Sequence, residues 1–288
     1  MVNGFATRGH RRLGLRNEGK RPYFRPPPFL SNGCCGSGAV ERDADRAHTP
    51  AMVRRRFRRS FGVGARLSRA RCTGEELSSA ERSRANERQR RQYARQAPKY
   101  DKEADSAERW LYGREHRAWA CSWATGVTLE VAIGTGLNLA NYPPTVRLTG
   151  IDLTPEMLVL ARNRAADLGM PVTLCEGDAQ ALPFPDGMFD TVLSTYSMCS
   201  VPDEGRAILE MKRVLKNGGR LILVDHVRSS VAPIYWIQRL MELAPSRGER
   251  ELTRRPITHV RAAGFLVEEN DRSRAGMIER LVAWKPQL

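Results

Sequence analysis

From residue 127 to its carboxyl end, the chain alternates short apolar runs with segments whose apolar positions recur every three or four residues. Runs at 127–132, 147–152, 172–175, 189–195, 220–225, 265–270 and 278–284 have the length of strands. The run at 220–225 is almost continuously apolar, as strands buried on both faces are. Between the runs, Met157, Leu160, Ala161, Ala165 and Leu168 mark one helical face, and Ile208, Met211, Val214 and Leu215 mark another within 206–215. The first of these helices has a start signal: Thr154 as hydroxyl cap, Pro155 at the first helical position and Glu156 at the positive end of the helix dipole. Gly169 stops it. Segments 233–244 and 255–263 read as two further helices. Strands alternating with helices predict a mostly parallel seven-stranded α/β sheet with helices on both faces, closed by an antiparallel hairpin of the last two runs.

Charge separates the first third of the 288 residues from the rest. The net charge is +15, and all of it lies in residues 1–98, because the remainder carries Lys/Arg and Asp/Glu in equal number. That third is rich in Arg, Gly, Pro and Ser, with Arg54-Arg55-Arg56-Phe57-Arg58-Arg59 and Pro26-Pro27-Pro28 as extremes. It lacks the apolar periodicity needed to offset the entropy of ordering. The expected organisation is a disordered basic arm over 1–80, a helical segment near 83–93, and one globular domain over 81–288.

Three readings of the arm are open. Clustered Arg attracts nucleic-acid phosphates or an anionic membrane, although Tyr23, Phe24, Phe29, Phe57 and Phe61 follow no stacking pattern. A solvated tail is the second. The third is upstream sequence read from a start codon set too early, with Met52 or a later site as the start. The two plainer readings outweigh nucleic-acid binding, and an organellar transit peptide is a minor alternative. No apolar stretch of about 7–15 residues follows the early charges, as a secretory signal requires, and none approaches the roughly 18 residues of a membrane span. Cys34, Cys35, Cys72, Cys121, Cys175 and Cys199 show no metal-binding spacing. Cys175 and Cys199 fall in or beside apolar runs, where buried thiols are expected. The expected compartment is the cytosol, and oligomeric state is not legible.

The chemistry concentrates at 129–152. An apolar run ends in Glu130, turns through Gly134 and Gly136, and is followed by a second run ending in Asp152. Such a layout lets backbone approach a ligand at a strand's carboxyl end while an acid on the next strand grips ribose hydroxyls. A dinucleotide site needs a third glycine three residues after Gly136; that position is Leu139, and no second nucleotide-binding half follows.

Glu130-Val-Ala-Ile-Gly-Thr-Gly136, Gly150-Ile-Asp-Leu-Thr-Pro-Glu-Met157, Gly177-Asp-Ala-Gln-Ala-Leu-Pro-Phe-Pro-Asp186 with Phe189-Asp190, and Val214-Leu-Lys-Asn-Gly-Gly-Arg220 occur in order. Together they resemble the class I S-adenosylmethionine-dependent methyltransferases, in the type 11 branch related to the ubiquinone/menaquinone C-methyltransferases. The resemblance covers about residues 93–285 and implies the Rossmann-like fold of that class, with S-adenosyl-L-methionine as cofactor. It implies that Gly134 and Gly136 lie against the methionine part and that Glu130 lies near the cofactor's positive charge. Asp152 takes the ribose diol, Leu153 and Met157 sandwich the adenine, and Asp178 and Ala179 meet its amino edge. Tyr100, with Asp101, resembles a Tyr-Asp pair that precedes the first motif and closes over the cofactor. Ala132 stands where the family more usually has glycine.

Methyl transfer rests mainly on alignment, so a base is needed only where the acceptor loses a proton. Tyr196, Cys199, Asp225 and His226 follow strand ends; His226 is the best of them, because its ordinary pKa lies near neutrality, yet a histidine bonding a loop carbonyl is the commoner case. His116 and His259 are expected on helix surfaces. Segment 229–255, with Pro233, Ile234, Tyr235, Trp236, Ile237, Leu240, Met241 and Leu243, offers an amphipathic roof for a small-molecule or lipid-like acceptor, although helix-on-sheet packing is the plainer expectation for most of those side chains. A nucleic-acid methyltransferase tethered by residues 1–80 and an idle cofactor-binding module are the alternatives. No metal is expected.

Overall fold

The computed structural model describes residues 77–243 and 251–287. Residues 1–76 lie outside the described residues, and with them every reading of the basic arm up to that point.

The described chain opens on α1 (Ser79–Ala107). Ser78 and Glu81 form a reciprocal capping box: the Ser78 hydroxyl accepts from the Glu81 amide at 3.3 Å and the Glu81 carboxylate from the Ser78 amide at 3.1 Å. The helix therefore starts earlier and runs much longer than the segment at 83–93, passing through Pro98. A π-helical turn (Glu108–Tyr112) ends at Gly113, and α2 (Glu115–Ser122) leads into the sheet.

The sheet then alternates as its apolar runs demand. Its elements are β1 (Val127–Val131), β2 (Arg147–Asp152), α3 (Pro155–Asp167), β3 (Val172–Glu176), β4 (Phe189–Thr195), α4 (Glu204–Val214), β5 (Leu215–His226), α5 (Ala232–Glu242), α6 (Pro256–Ala262), β6 (Leu266–Ser273) and β7 (Ile278–Trp284). Seven strands lie in the order β3-β2-β1-β4-β5-β7-β6. The first five are parallel, and β7 runs antiparallel to both β5 and β6. The fold is the Rossmann-like one of class I methyltransferases, with the antiparallel hairpin at its carboxyl end.

Alternation on β5 shows why both faces are covered. Leu221 and Leu223 pack with α4 and α6 residues such as Met211 and Val260, whereas Ile222 and Val224 pack with α2 and α3 residues such as Cys121 and Leu158. Two boundaries differ from expectation. β5 follows α4 without a break, and residues 216–219 bulge out between the Phe189–Leu215 and Thr191–Arg220 pairs, with Gly218 at φ +73°. Thr154 precedes α3, but its side chain makes no capping bond; Asp152 Oδ1 accepts from the Thr154 amide at 2.8 Å instead.

Candidate functional site

Strand order reverses between β1 and β4, and the cleft of interest opens at the carboxyl ends there, where open α/β sheets hold ligands. It encloses about 690 Å³ of open space. Of the residues singled out in the sequence, Tyr100, Ala132, Gly134, Asp152, Leu153, Met157, Asp178 and Ala179 all line it. Ala132 and Tyr196 end β1 and β4 in left-handed backbone, at φ +56° and +55°. Such conformations cost a side-chain-bearing residue about 1–2 kcal/mol, and they cluster where a site demands them.

Asp152 sits at the tip of β2, nearly buried. Its Oδ2 accepts from the Gly134 amide at 2.8 Å, and its Oδ1 from Thr154. Each carboxylate oxygen accepts two bonds, so both retain capacity for a pair of hydroxyls. Burial pushes its pKa up, opposed by those backbone donors. A Cβ on Gly134 would meet nothing within 4 Å, because that turn faces open space. A ribose diol, an apolar-flanked ring and a chain lying on bare backbone all have counterparts here, so the residues present fit S-adenosyl-L-methionine.

Helix α1 covers this cleft with Asn86, Gln89, Tyr93 and Tyr100. Three ties hold it down. Asn86 Nδ2 donates to Asp178 Oδ2 at 2.7 Å, Thr135 Oγ1 in the glycine turn donates to Asp101 Oδ1 at 2.6 Å, and Arg164 on α3 pairs with Asp101 at 2.5 Å. Sequence reasoning missed Asn86, Gln89 and Tyr93. The capping box at Ser78 and Glu81 signals the helix, and Tyr93 and Tyr100 are seven residues apart, two turns along one face.

A second chamber adjoins the first and shares Tyr93, Tyr100 and Tyr196 with it; Tyr112, Cys199 and His226 continue its wall. His226 packs against Tyr112 at 4.2 Å and Tyr196 at 4.8 Å between ring centroids. Behind it, buried Asp225 accepts from the amides of Ser197 at 3.1 Å and Met198 at 2.6 Å. Burial raises the Asp225 pKa to about 6 against those donors. Cys199, Asp225 and His226 are close enough together to be considered as metal ligands, but the Asp225 carboxylate is already committed to backbone amides.

Several expected placements change. Glu130 does not line the cleft: it is buried, accepting from Asn138 Nδ2 at 2.7 Å and the Tyr142 hydroxyl at 2.8 Å. Burial lifts its pKa to about 7. Asn138 in turn accepts from Arg117 at 3.1 Å, and Arg117 pairs with Glu108 at 2.6 Å, so a buried polar chain runs from β1 to the π turn. Gly136 is also structural: its φ is +78°, and a Cβ there would lie 2.7 Å from Leu139 Cδ1. His116 is fully buried rather than on a surface, between the Tyr112 carbonyl at 2.8 Å and Arg280 Nε at 2.6 Å, and burial pulls its pKa down. His259 is exposed, as expected. Cys175 and Cys199 are buried, also as expected. On α5 the packing expectation fails. Trp236, Ile237 and Leu240 are 68%, 57% and 69% exposed, and the buried residue of that helix is Gln238, which bonds Ser229, Val227 and Leu252.

Residues 129–223 match the profile of a methyltransferase domain, type 11. Over those residues the chain is similar to that family's methyltransferase domain. Among similar proteins, a phosphatidylethanolamine N-methyltransferase of Cereibacter sphaeroides is 39% identical over 118 residues, 40% of this chain and 58% of that protein. A demethylmenaquinone methyltransferase of Thermus thermophilus is 41% identical over 100 residues, 34% and 46% of the two chains. A ubiquinone/menaquinone biosynthesis C-methyltransferase of Geobacter sulfurreducens is 31% identical over 169 residues, 54% and 64%. The match thus spans about half to two thirds of the length of these relatives. A SAM-dependent methyltransferase structure from Thermotoga maritima superposes with a TM-score of 0.52 at 24% identity, over 67% of this chain and 98% of that one, which speaks for the fold. No helix among the described residues is long and apolar enough to cross a membrane.

Proposed function

We propose that the protein holds S-adenosyl-L-methionine in the cleft over β1, β2 and β4 and methylates a lipid-like or small acceptor seated in the adjoining chamber. One observation carries the reading: eight residues chosen from sequence motifs converge on one cleft, and that cleft shares walls with a second chamber. The names of its relatives support an acceptor that is a quinone or lipid.

Bound there, the cofactor supplies a methyl carbon already activated by its sulfonium, so the protein's work is alignment. Asp152 receives the ribose hydroxyls, Leu153 and Met157 flank the adenine, and Asp178 with Ala179 borders its edge. Gly134 and Ala132 present backbone to the methionine part. Tyr100 and Tyr196, common to both chambers, wall the passage between donor and acceptor, and α1 excludes water from it.

Incubation of the full-length protein with methyl-labelled cofactor and fractionated cell extract tests the reading. Label is expected in the lipid fraction. Label confined to RNA or DNA would overturn the acceptor class, and absence of transfer to every fraction would overturn the activity.

A further inference from the structure

The large apolar side chains exposed among the described residues are not scattered. Seven of the eleven lie on the π turn and on the segment from Val231 to Leu243, whereas the other four are spread over α3 and its end, α4 and β6. On α5, Trp236, Leu240 and Leu243 recur at four and three residues and form one stripe, with Ile237 beside it. Leu243 is 77% exposed. On the π turn, Trp110 is 78% exposed and Leu111 54%. Contiguous apolar surface of this kind marks a face that meets a partner.

Both elements are anchored to the wall of the second chamber. Glu108 and Tyr112 of the π turn line it, and Trp110 and Leu111 lie between them in sequence and face solvent. Tyr112 packs against His226 at 4.2 Å, at the end of β5 that leads into α5. From α5, buried Gln238 donates to the carbonyls of Val227 at 3.0 Å and Leu252 at 3.5 Å, and Leu252 also walls the chamber.

The charge around these residues is basic. Arg228 is exposed, lies over the Tyr235 ring at 5.1 Å and has no carboxylate partner among the described ion pairs. Arg109 and Arg114 share the single carboxylate of Asp105, and Glu115 is within electrostatic reach of both Arg274 and Arg280. Each of these groups leaves one positive charge over. Arg239 is matched by Glu242 at 2.8 Å, and Glu103 by Lys99 at 3.1 Å. A second copy of the chain, seated here through a two-fold contact, would bring the excess charge against itself. An anionic lipid surface answers it, and tryptophan beside arginine suits the headgroup level of a bilayer.

We infer that the protein seats on an anionic lipid surface through α5 and the tip of the π turn, with the second chamber opening towards the headgroups. A helix lying in the interface needs an apolar stripe and basic flanks rather than the length of a span, so the eleven residues of α5 suffice. The seat itself does not depend on the chemistry of the chamber. That a lipid-like acceptor enters from it rests on the acceptor reading proposed above.

Vesicles of equal parts phosphatidylcholine and phosphatidylglycerol, brominated along the acyl chains, test the seat on the full-length protein without cofactor or acceptor. Residues 1–76 contain no tryptophan, so binding through the basic arm alone leaves the emission unchanged. Seating is expected to quench the emission and shift it to the blue, and Trp110→Phe combined with Trp236→Phe is expected to remove that response. Ile237→Gln combined with Leu240→Gln keeps every tryptophan and is expected to need about tenfold more lipid for the same quenching, as two apolar side chains withdrawn from the interface should. Arg228→Gln should need about fivefold more, the share of one arginine at an anionic surface. Sedimentation with vesicles without quenching would mean that the arm alone holds the membrane. Undiminished quenching after the Ile237 and Leu240 changes would mean that α5 is not the seat. Either result overturns the inference, and so does a lipid-free dimer that the same two changes dissolve, because a second copy then covers the face. Failure of the seat leaves methyl transfer to a soluble acceptor standing, and absence of methyl transfer leaves the seat standing, so the two readings fail separately.

Discussion

Asp101 on α1 and Thr135 in the glycine turn are joined by a hydrogen bond of 2.6 Å, across 34 residues of sequence. Arg164 reinforces the joint by pairing with the same carboxylate and by donating to the Thr135 carbonyl at 2.5 Å. The covering helix and the turn beneath it are therefore one unit, and the order of the turn depends on a helix that touches the cleft from the other side.

Asp101→Ala is expected to loosen α1 more than it unfolds the domain. The joint is partly exposed, so the stability loss should be about 1 kcal/mol. Affinity for S-adenosylmethionine should fall about five- to tenfold, because ordering α1 then costs binding energy. Hydrogen exchange along α1 reads the first effect and calorimetry the second; unchanged exchange in α1 would show that the joint does not hold the helix.

Ala132 carries left-handed backbone that glycine adopts without strain. Ala132→Gly is expected to raise stability by about 0.5–1 kcal/mol in chemical denaturation, the relief of strain exceeding the added entropy of the unfolded chain. Destabilisation by this change would mean that the methyl group packs usefully against the cleft wall.

Glu130 titrates against stability. Its pKa rises from 4.5 to about 7 on folding, chiefly through burial. The folded state therefore binds its proton more tightly, and stability is lost as pH rises from the unfolded value towards about 7. The loss is on the order of 3 kcal/mol at most. Glu130→Gln should flatten that part of the stability profile between about pH 4.5 and 7. An unaltered profile would mean that the bonds from Asn138 and Tyr142 already offset the cost of burial.

The exposed face of α5 should tolerate polar change. A double substitution, Trp236→Gln with Leu240→Gln, is expected to leave the melting temperature within about 2 °C, since exposed sites shift stability by about 0.5 kcal/mol or less. Met211→Ala, on the core face of α4, should cost about 2–5 kcal/mol. Equal losses at the two places would show that α5 packs against more of the protein than its exposure indicates.

Strands, hairpin and the helix after Asp152 were legible because period and punctuation agree there: apolar runs end at glycines, and Pro155 starts α3. Eight cleft residues were legible because the motifs fall at strand tips, where topology alone brings them together. Glu130 and Gly136 belong to the same motif, yet whether a side chain faces the cleft or the core beneath it depends on partners such as Asn138, Tyr142 and Leu139. Helix α1 was largely hidden for a different reason. It is almost wholly polar, with only Ala85 and Ala97 buried, and what holds it is a capping box and long-range bonds such as that from Asn86 to Asp178, 92 residues away. His116 carried no signal of burial, since its partner Arg280 lies 164 residues on.

The central claim is a methyl-donor site built on Asp152, and calorimetry with S-adenosylmethionine on the full-length protein and its Asp152→Ala variant tests it most directly. Binding by the parent protein is expected, weakened about 100-fold or more in the variant, because two hydrogen bonds to a carboxylate contribute about 1.5–3 kcal/mol each. No binding by the parent protein, or equal affinity in the two, would contradict the site.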